Sequence, residues 1–298
     1  MTVAAQIDTA WSRAGFTPVS ALQVFGMRRS GNHAIIDWLM RNAPDAASGG
    51  VFYNNCRFGK EVLSQYGSID VYDDQQQVMP HVDIADPVRI AGAGDAPMVV
   101  VSYEDRMQQI DGQPQRASFG MTGEDFTHQV IIYRSFLNWS ASLLAKIKKN
   151  KDFRATDRLR IMTVAFSTYV QGLDRISGSK DLVAICYDDW MTSEVYRADV
   201  LKKLGLPVRD LSRGKVQCYG GGSSFQTKVG SVDELNSTSR DAAMADDLEY
   251  GLLAWTAAHD LRFMERLIPH FEDDAERLAT LAETSELHMK LPPRKAPV

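Results

Sequence analysis

The chain has 298 residues, 44% of them hydrophobic and 24% charged, with a formal net charge of −5. That length supports a full core, and that balance is ordinary for a folded globular protein. The negative net charge argues against a general nucleic-acid binder; Cys56, Cys186 and Cys218 give no disulfide or zinc framework; and no apolar run approaches transmembrane length.

The opening residues have no basic segment followed by a long apolar stretch, so no signal peptide is expected and the expected location is the cytoplasm. Residues 1–20 read as a short helix or arm. Leu22 and Val24 alternate with smaller or polar neighbours and lead through Phe25 to Gly26, the end of a short buried strand. Residues 26–31 lack apolar periodicity and carry Arg28, Arg29 and Ser30 between two glycines. From His33 onward Ile35, Ile36, Leu39 and Met40 recur at helical spacing until Pro44 closes the run. A strand, a glycine-bounded basic loop and a helix start together make an anion site, because the first helical N–H groups are unpaired and carry the positive end of the dipole. The spacing from Gly26 to Gly31 fits the frame of a P-loop. Asn32 and His33 stand where a triphosphate site needs Lys and Ser or Thr. The loop therefore suits a phosphate-bearing ligand other than a magnesium triphosphate.

Residues 44–80 read as irregular, a segment that could cover a ligand, and 91–94 as a turn. Residues 97–103 contain Met98, Val99, Val100 and Val101, the continuous apolar run of a buried parallel strand, ending at Glu104. Residues 107–126 read as loop. Residues 129–133 form a third strand ending at Arg134. Helices follow over 137–149, with Leu137, Ala141, Leu144 and Ile147 on one face, and over 157–176. A fourth strand over 182–187 precedes a helix over 193–204 that Gly205 and Pro207 end. Residues 208–245 read as loop and 246–268 as one long helix with a stripe of Leu248, Leu252, Trp255, Phe263 and Leu267, with His259 on its apolar side. The tail from about 292 reads as disordered. Strands alternating with helices predict an α/β fold, a central parallel sheet with helices on both faces, as one domain over 1–298. Residues 26–31, Glu104, Arg134 and Asp188 all follow strands, so all fall at the carboxyl edge where such sheets bind ligands.

Arg134 at a strand end and Ser142 in the first turns of the next helix can converge on one anion. With these pieces together, the chain resembles the PAPS-dependent sulfotransferases (PAPS is 3′-phosphoadenylyl sulfate). The stretch from Arg29 through Ser30, Gly31 and Asn32 to His33 stands at that family's 5′-phosphosulfate element. Arg134 and Ser142 stand at its 3′-phosphate element. Tyr187-Asp188-Asp189, followed by a helix and Leu204-Gly205-Leu206-Pro207, stands at a third; together they span about residues 20–210. Asn32 and His33 replace two threonines, and Asn138 stands where aspartate is common. The basic and glycine-rich segment that completes the 3′-phosphate site has its nearest counterpart in residues 220–225 with Lys228, and Ser223 and Ser224 are its candidate phosphate ligands.

The resemblance implies a P-loop-like sulfotransferase fold and transfer of a sulfuryl group from PAPS to a hydroxyl or amine, with PAP leaving and no metal. It implies that Arg29, with the N–H groups of residues 30–33, holds the bridging oxygen and 5′-phosphate, that Arg28 shares this role or faces outward, and that Arg134 and Ser142 hold the 3′-phosphate. Glu104 and His33 both stand as candidate general bases. The acceptor is open: a small molecule or a glycan, with no nucleic acid as partner and no membrane segment. A P-loop kinase using ATP and magnesium, and a nucleotide-binding module without turnover, are the competing readings. The cations Lys146, Lys148, Lys149, Lys151 and Arg154 read as dipole-complementing charges at a helix end. Phe52, Tyr53, Tyr219 and Phe225 read as packing residues, and Asp37 as lying on a polar helix face.

Overall fold

The computed structural model describes residues 11, 17–56, 67–73, 76–82, 93–107, 123–216 and 239–284, with backbone alone for 76 and 78–82. Among the described residues seven strands form one sheet: β1 (Ser20–Gly26), β2 (Gly50–Asn54), β3 (Ser68–Asp73), β4 (Gln76–Val82), β5 (Met98–Glu104), β6 (His128–Tyr133) and β7 (Leu182–Cys186). Their order is β4-β3-β2-β5-β1-β6-β7. The pairs β2–β5, β5–β1, β1–β6 and β6–β7 are parallel, while β3 and β4 extend the edge antiparallel. The protein is therefore an α/β fold with a mixed sheet.

The four strands expected from sequence form the parallel centre with β2. The expectation that 44–80 is irregular is wrong for most of the described residues of that span, which supply β2, β3 and part of β4. Their alternation is masked because one face of β2 and β3 carries polar side chains, Asn54, Ser68 and Asp70, that are nonetheless buried.

Eight α-helices lie among the described residues: α1 (Asn32–Arg41), α2 (Phe136–Lys148), α3 (Ala155–Gly178), α4 (Tyr187–Thr192), α5 (Glu194–Lys203), α6 (Leu248–Ala258), α7 (Leu261–Leu267) and α8 (Glu272–Thr284). Alternating strand residues feed two cores. Leu22, Val24, Val100 and Ile132 pack against Ile35 and Leu39 of α1 and Leu201 of α5. Phe25, Val101 and Ile131 face the opposite way, with Phe136 and Trp139 of α2, Tyr169 of α3 and Phe263 of α7 in that core. Helices thus cover both faces. Trp38 and Trp190 meet edge to face at 6.0 Å, and the Trp38 indole N–H donates to the Asp210 carbonyl at 2.9 Å, so this buried ring keeps its hydrogen bond. Among the described residues no helix is long and apolar enough to cross a membrane.

The C-terminal region corrects the sequence expectation. The span 246–268 is two helices, broken where Asp260 accepts a hydrogen bond from the Phe263 N–H and caps α7. The buried side of α6 is Tyr250, Leu253, Ala254 and Ala257; Leu248 and Leu252 are exposed. His259 caps α6 on the surface and is not a core residue. Asp37 is likewise buried, where it pairs with Arg41 and accepts from the Tyr72 hydroxyl.

Candidate active site

β1 ends at Gly26 between the ends of β5 and β6, so the loop 26–31 stands at the centre of the carboxyl edge. The Ser30 N–H donates to the Met27 carbonyl at 3.1 Å, closing a turn in which Arg29 has φ of +72°. That left-handed position normally takes glycine and costs an arginine about 1–2 kcal/mol. The two glycines are fixed by packing. A Cβ on Gly26 would lie 2.2 Å from the Asn32 amide oxygen, and one on Gly31, at φ +87°, would lie 2.1 Å from the Tyr187 ring. Gly31 is the N-cap of α1 and offers no side chain, whereas Ser135, Ser193, Asp247 and Asp260 cap α2, α5, α6 and α7. The Ser30 hydroxyl is buried and has no hydrogen-bond partner among the described residues. An uncapped helix start beside a buried, unsatisfied hydroxyl is a site prepared for an anion.

Three arginines meet at this loop. Ser142 Oγ, on α2, accepts from Arg240 Nη1 at 2.9 Å and lies 3.4 Å from Arg29 Nε. Arg134 Nη1 reaches the Arg29 carbonyl at 3.5 Å, and its guanidinium lies 4.7 Å over the Tyr187 ring. Arg134 is paired with Asp188 at 3.8 Å. Burial, then the charge of Arg134, pulls the Arg29 guanidinium below its ordinary range; the same causes bring Arg240 down to about 9. Lys146, one turn after Ser142, is lowered by burial and by Arg29. Like charges gathered in a partly buried site repel one another. A bound dianion would reverse that balance.

Glu104 closes β5 opposite Gly26. Its Oε1 lies 3.4 Å from Asn32 Nδ2 and 3.6 Å from His33 Nε2. Burial, then the neighbouring Asp105, raises its carboxyl above the usual range; the Asn32 hydrogen bond and the charges of Arg28 and Arg29 offset part of this. A partly buried carboxylate with a raised proton affinity, beside an imidazole, can accept a proton from a hydroxyl brought to the edge.

The start of α2 is held by two carboxylates. The Ser135 backbone N–H donates to Asp188 at 2.7 Å, and the Ser135 hydroxyl donates to Asp274 at 2.8 Å. Asp274, on α8, also accepts from the Leu137 N–H at 3.1 Å. The Asn138 amide lies 3.3 Å from Ser135 Oγ, and its oxygen accepts from the Arg240 N–H at 3.0 Å.

The structure thus brings together Arg29, Ser30, Gly31, Asn32, His33, Glu104, Arg134 and Ser142. It turns Arg28 away: that half-exposed side chain pairs with Asp105, and only its backbone carbonyl faces inward, to the Trp139 indole N–H at 2.9 Å. Ser223 and Ser224 lie outside the described residues. Lys148 is committed to Asp247 and Glu249. Phe52 and Tyr53 are buried in the two cores. Arg240 and Asp274 escaped the sequence reading. Both follow the glycine-rich region in segments with no motif spacing, and Asp274 sits among the acidic residues that open α8.

No protein-family model matches the chain, and no curated protein matches it in sequence. Among solved structures, mouse sulfotransferase SULT7A1 in complex with PAP is similar at a TM-score of 0.38 and 11% identity, over 67% of this chain and 64% of that one. The chain thus matches a little under two thirds of the mouse enzyme's length. The sulfotransferase domain of the Synechococcus PCC 7002 olefin synthase is similar at a TM-score of 0.37 and 13% identity, over 83% of this chain and 97% of that one.

Proposed function

We propose that the chain transfers the sulfuryl group of PAPS to an acceptor hydroxyl. The observation that carries this reading is the meeting of Arg29 and Arg240 at Ser142, with Arg134 reaching the Arg29 carbonyl, beside a P-loop-like turn with Asn32 where a triphosphate site has lysine. One phosphate of the donor needs Arg134, Ser142 and Arg240. The other, with its sulfate, needs Arg29, the Ser30 hydroxyl and the first amides of α1. Arg240 adds a cation to that phosphate site; residues 220–225 and Lys228, the other candidates for it, lie outside the described residues.

The acceptor oxygen attacks sulfur, the new S–O bond forms, and the bond between sulfur and the phosphate oxygen breaks. The electron pair stays on that oxygen, where Arg29 stabilises it, and PAP leaves. The hydroxyl proton passes to Glu104, with His33 holding the carboxylate in place. The chain supplies position and charge complementarity, the two terms that dominate transfers of this type.

The test is transfer of labelled sulfate from PAPS to an acceptor mixture, with PAP as product inhibitor. Transfer that is abolished in Arg29→Ala and Arg134→Ala is the expected result. Turnover of ATP with magnesium, without turnover of PAPS, would replace this reading with a kinase.

A further inference from the structure

The strands beside Glu104 have two unlike faces. On one, β2, β3 and β5 carry Val51, Tyr53, Ile69, Val71, Val99 and Val101, all buried and apolar. The other face begins the same way. Phe52, Tyr72, Met98 and Val100 lie under α1, whose His33 ring is 6.1 Å from the Phe52 ring. Beyond the start of α1, toward the carboxyl edge, this face turns polar. Ser102 and Asn54 come next along β5 and β2, Ser68 pairs with Asn54, and Asp70 pairs with Phe52. All four are more than nine-tenths buried. The next residue of β5 on the same face is Glu104.

Buried polar side chains are retained in a sheet where something needs them, since apolar residues would pack there at lower cost. Internal bonds account for part of the set. Asn54 Nδ2 donates to Ser68 Oγ at 3.1 Å, the Asn55 N–H donates to Ser102 Oγ at 3.0 Å, and Gln77 Nε2 donates to Asp70 at 2.7 Å. The Asn54 Oδ1 is buried and accepts no hydrogen bond among the described residues. An amide oxygen in that position calls for an O–H or N–H donor. Among the described residues of these strands the charged groups on this face are carboxylates, Asp70 and Glu104, which disfavour an anionic acceptor. The aromatic rings on it, Phe52 and Tyr72, are covered and present no flat wall to a phenol.

We propose that this polar floor is the acceptor subsite and that the acceptor is a neutral saccharide or related polyol. Its hydroxyls bond to Asn54 and its neighbours while one further hydroxyl meets Glu104. This rests on the sulfotransferase reading and narrows it to a substrate class.

The experiment uses the full chain with labelled PAPS and a panel of methyl glucoside, maltose, myo-inositol, glucuronate, 2-naphthol and 1-octanol, with PAP binding measured in parallel. The expected result is sulfation of the neutral sugars or inositol in preference to the rest. Asn54→Ala and the milder Ser68→Ala should raise acceptor KM by about tenfold while PAP affinity stays within about twofold of the native chain. Preference for the naphthol, the octanol or the glucuronate overturns the proposal while leaving sulfuryl transfer intact. So does a chain that binds PAP and leaves every saccharide unmodified, or a folded Ser68→Ala and Asn54→Ala pair with unchanged acceptor KM. A native chain that binds no PAP overturns the sulfotransferase reading itself, and this proposal with it.

Discussion

The Asp274 carboxylate accepts the Ser135 hydroxyl at 2.8 Å, a bond between residues 139 positions apart. It ties the C-terminal α8 to the N-cap of α2, next to Arg134. Through Asn138 the same cluster reaches the Arg240 backbone, and Arg240 is pinned again at Ser142, one helical turn further on. Loss of Asp274 leaves the Ser135 hydroxyl and the Leu137 amide short of a partner, at about 1–3 kcal/mol each. Asp274→Ala should therefore lower the melting temperature and weaken PAP binding about tenfold, a magnitude seen when a supporting residue is lost. Burial already raises the Asp274 carboxyl, so the neutral Asp274→Asn, which keeps an acceptor oxygen, should retain most of the affinity. Calorimetric titration with PAP on both variants checks this; equal loss in both would contradict it.

Arg240→Ala should separate stability from binding. The side chain is buried and repelled by Arg134 and Arg29, which is why its proton affinity falls. Removal should leave the melting temperature of the unliganded chain unchanged or higher, and weaken PAP binding by about ten- to a hundredfold, the worth of a charge-assisted hydrogen bond. A parallel loss of both would mark Arg240 as purely structural.

Glu104 sets the pH dependence. Its folded proton affinity is raised above the ordinary value of 4.5, so the native state binds more protons than the unfolded chain in the window above that value. Its contribution to stability is therefore present at low pH and lost as pH rises through the folded value. With Glu104 as the proposed base, catalysis would run the other way, because the base must be ionised. The acid limb of kcat should lie above 4.5, and Glu104→Gln should remove about 100-fold or more in kcat without lowering stability at pH 7. A variant that keeps its kcat would move the base to His33.

Gly31→Ala places a methyl group 2.1 Å from the Tyr187 ring at a φ of +87°. The backbone term alone costs about 1–2 kcal/mol, and moving Tyr187 disturbs the ring beneath Arg134. Both the melting temperature and PAP affinity should fall; a variant unchanged in both would contradict the packing described for the loop.

The central strands and the loop were legible because their signals are local. Continuous apolar runs mark β5 and β6, and glycines at 26 and 31 bracket the turn between β1 and α1. The spacing of Arg134 and Ser142 was legible because one strand end and one helix start fix both residues. β2 and β3 were missed because Asn54, Ser68 and Asp70 interrupt the hydrophobic alternation with buried polar groups, which periodicity reads as surface. The α6–α7 break was missed because Leu248 and Leu252 continue a helical stripe that packing does not use. Arg240 and Asp274 reach the site only through tertiary contacts, which no spacing encodes. Arg28 and Arg29 are indistinguishable in sequence; Asp105 and the left-handed turn at Arg29 decide which one faces inward.

The most direct measurement is thermal unfolding of the native chain and of Arg134→Ala, each alone, with PAP, and with ATP plus magnesium. A ligand that binds only the folded state raises the transition, by about 2.7 kcal/mol of stability at a hundred times its Kd. The account predicts a rise with PAP that Arg134→Ala abolishes. Stabilisation by ATP plus magnesium with none by PAP would contradict it.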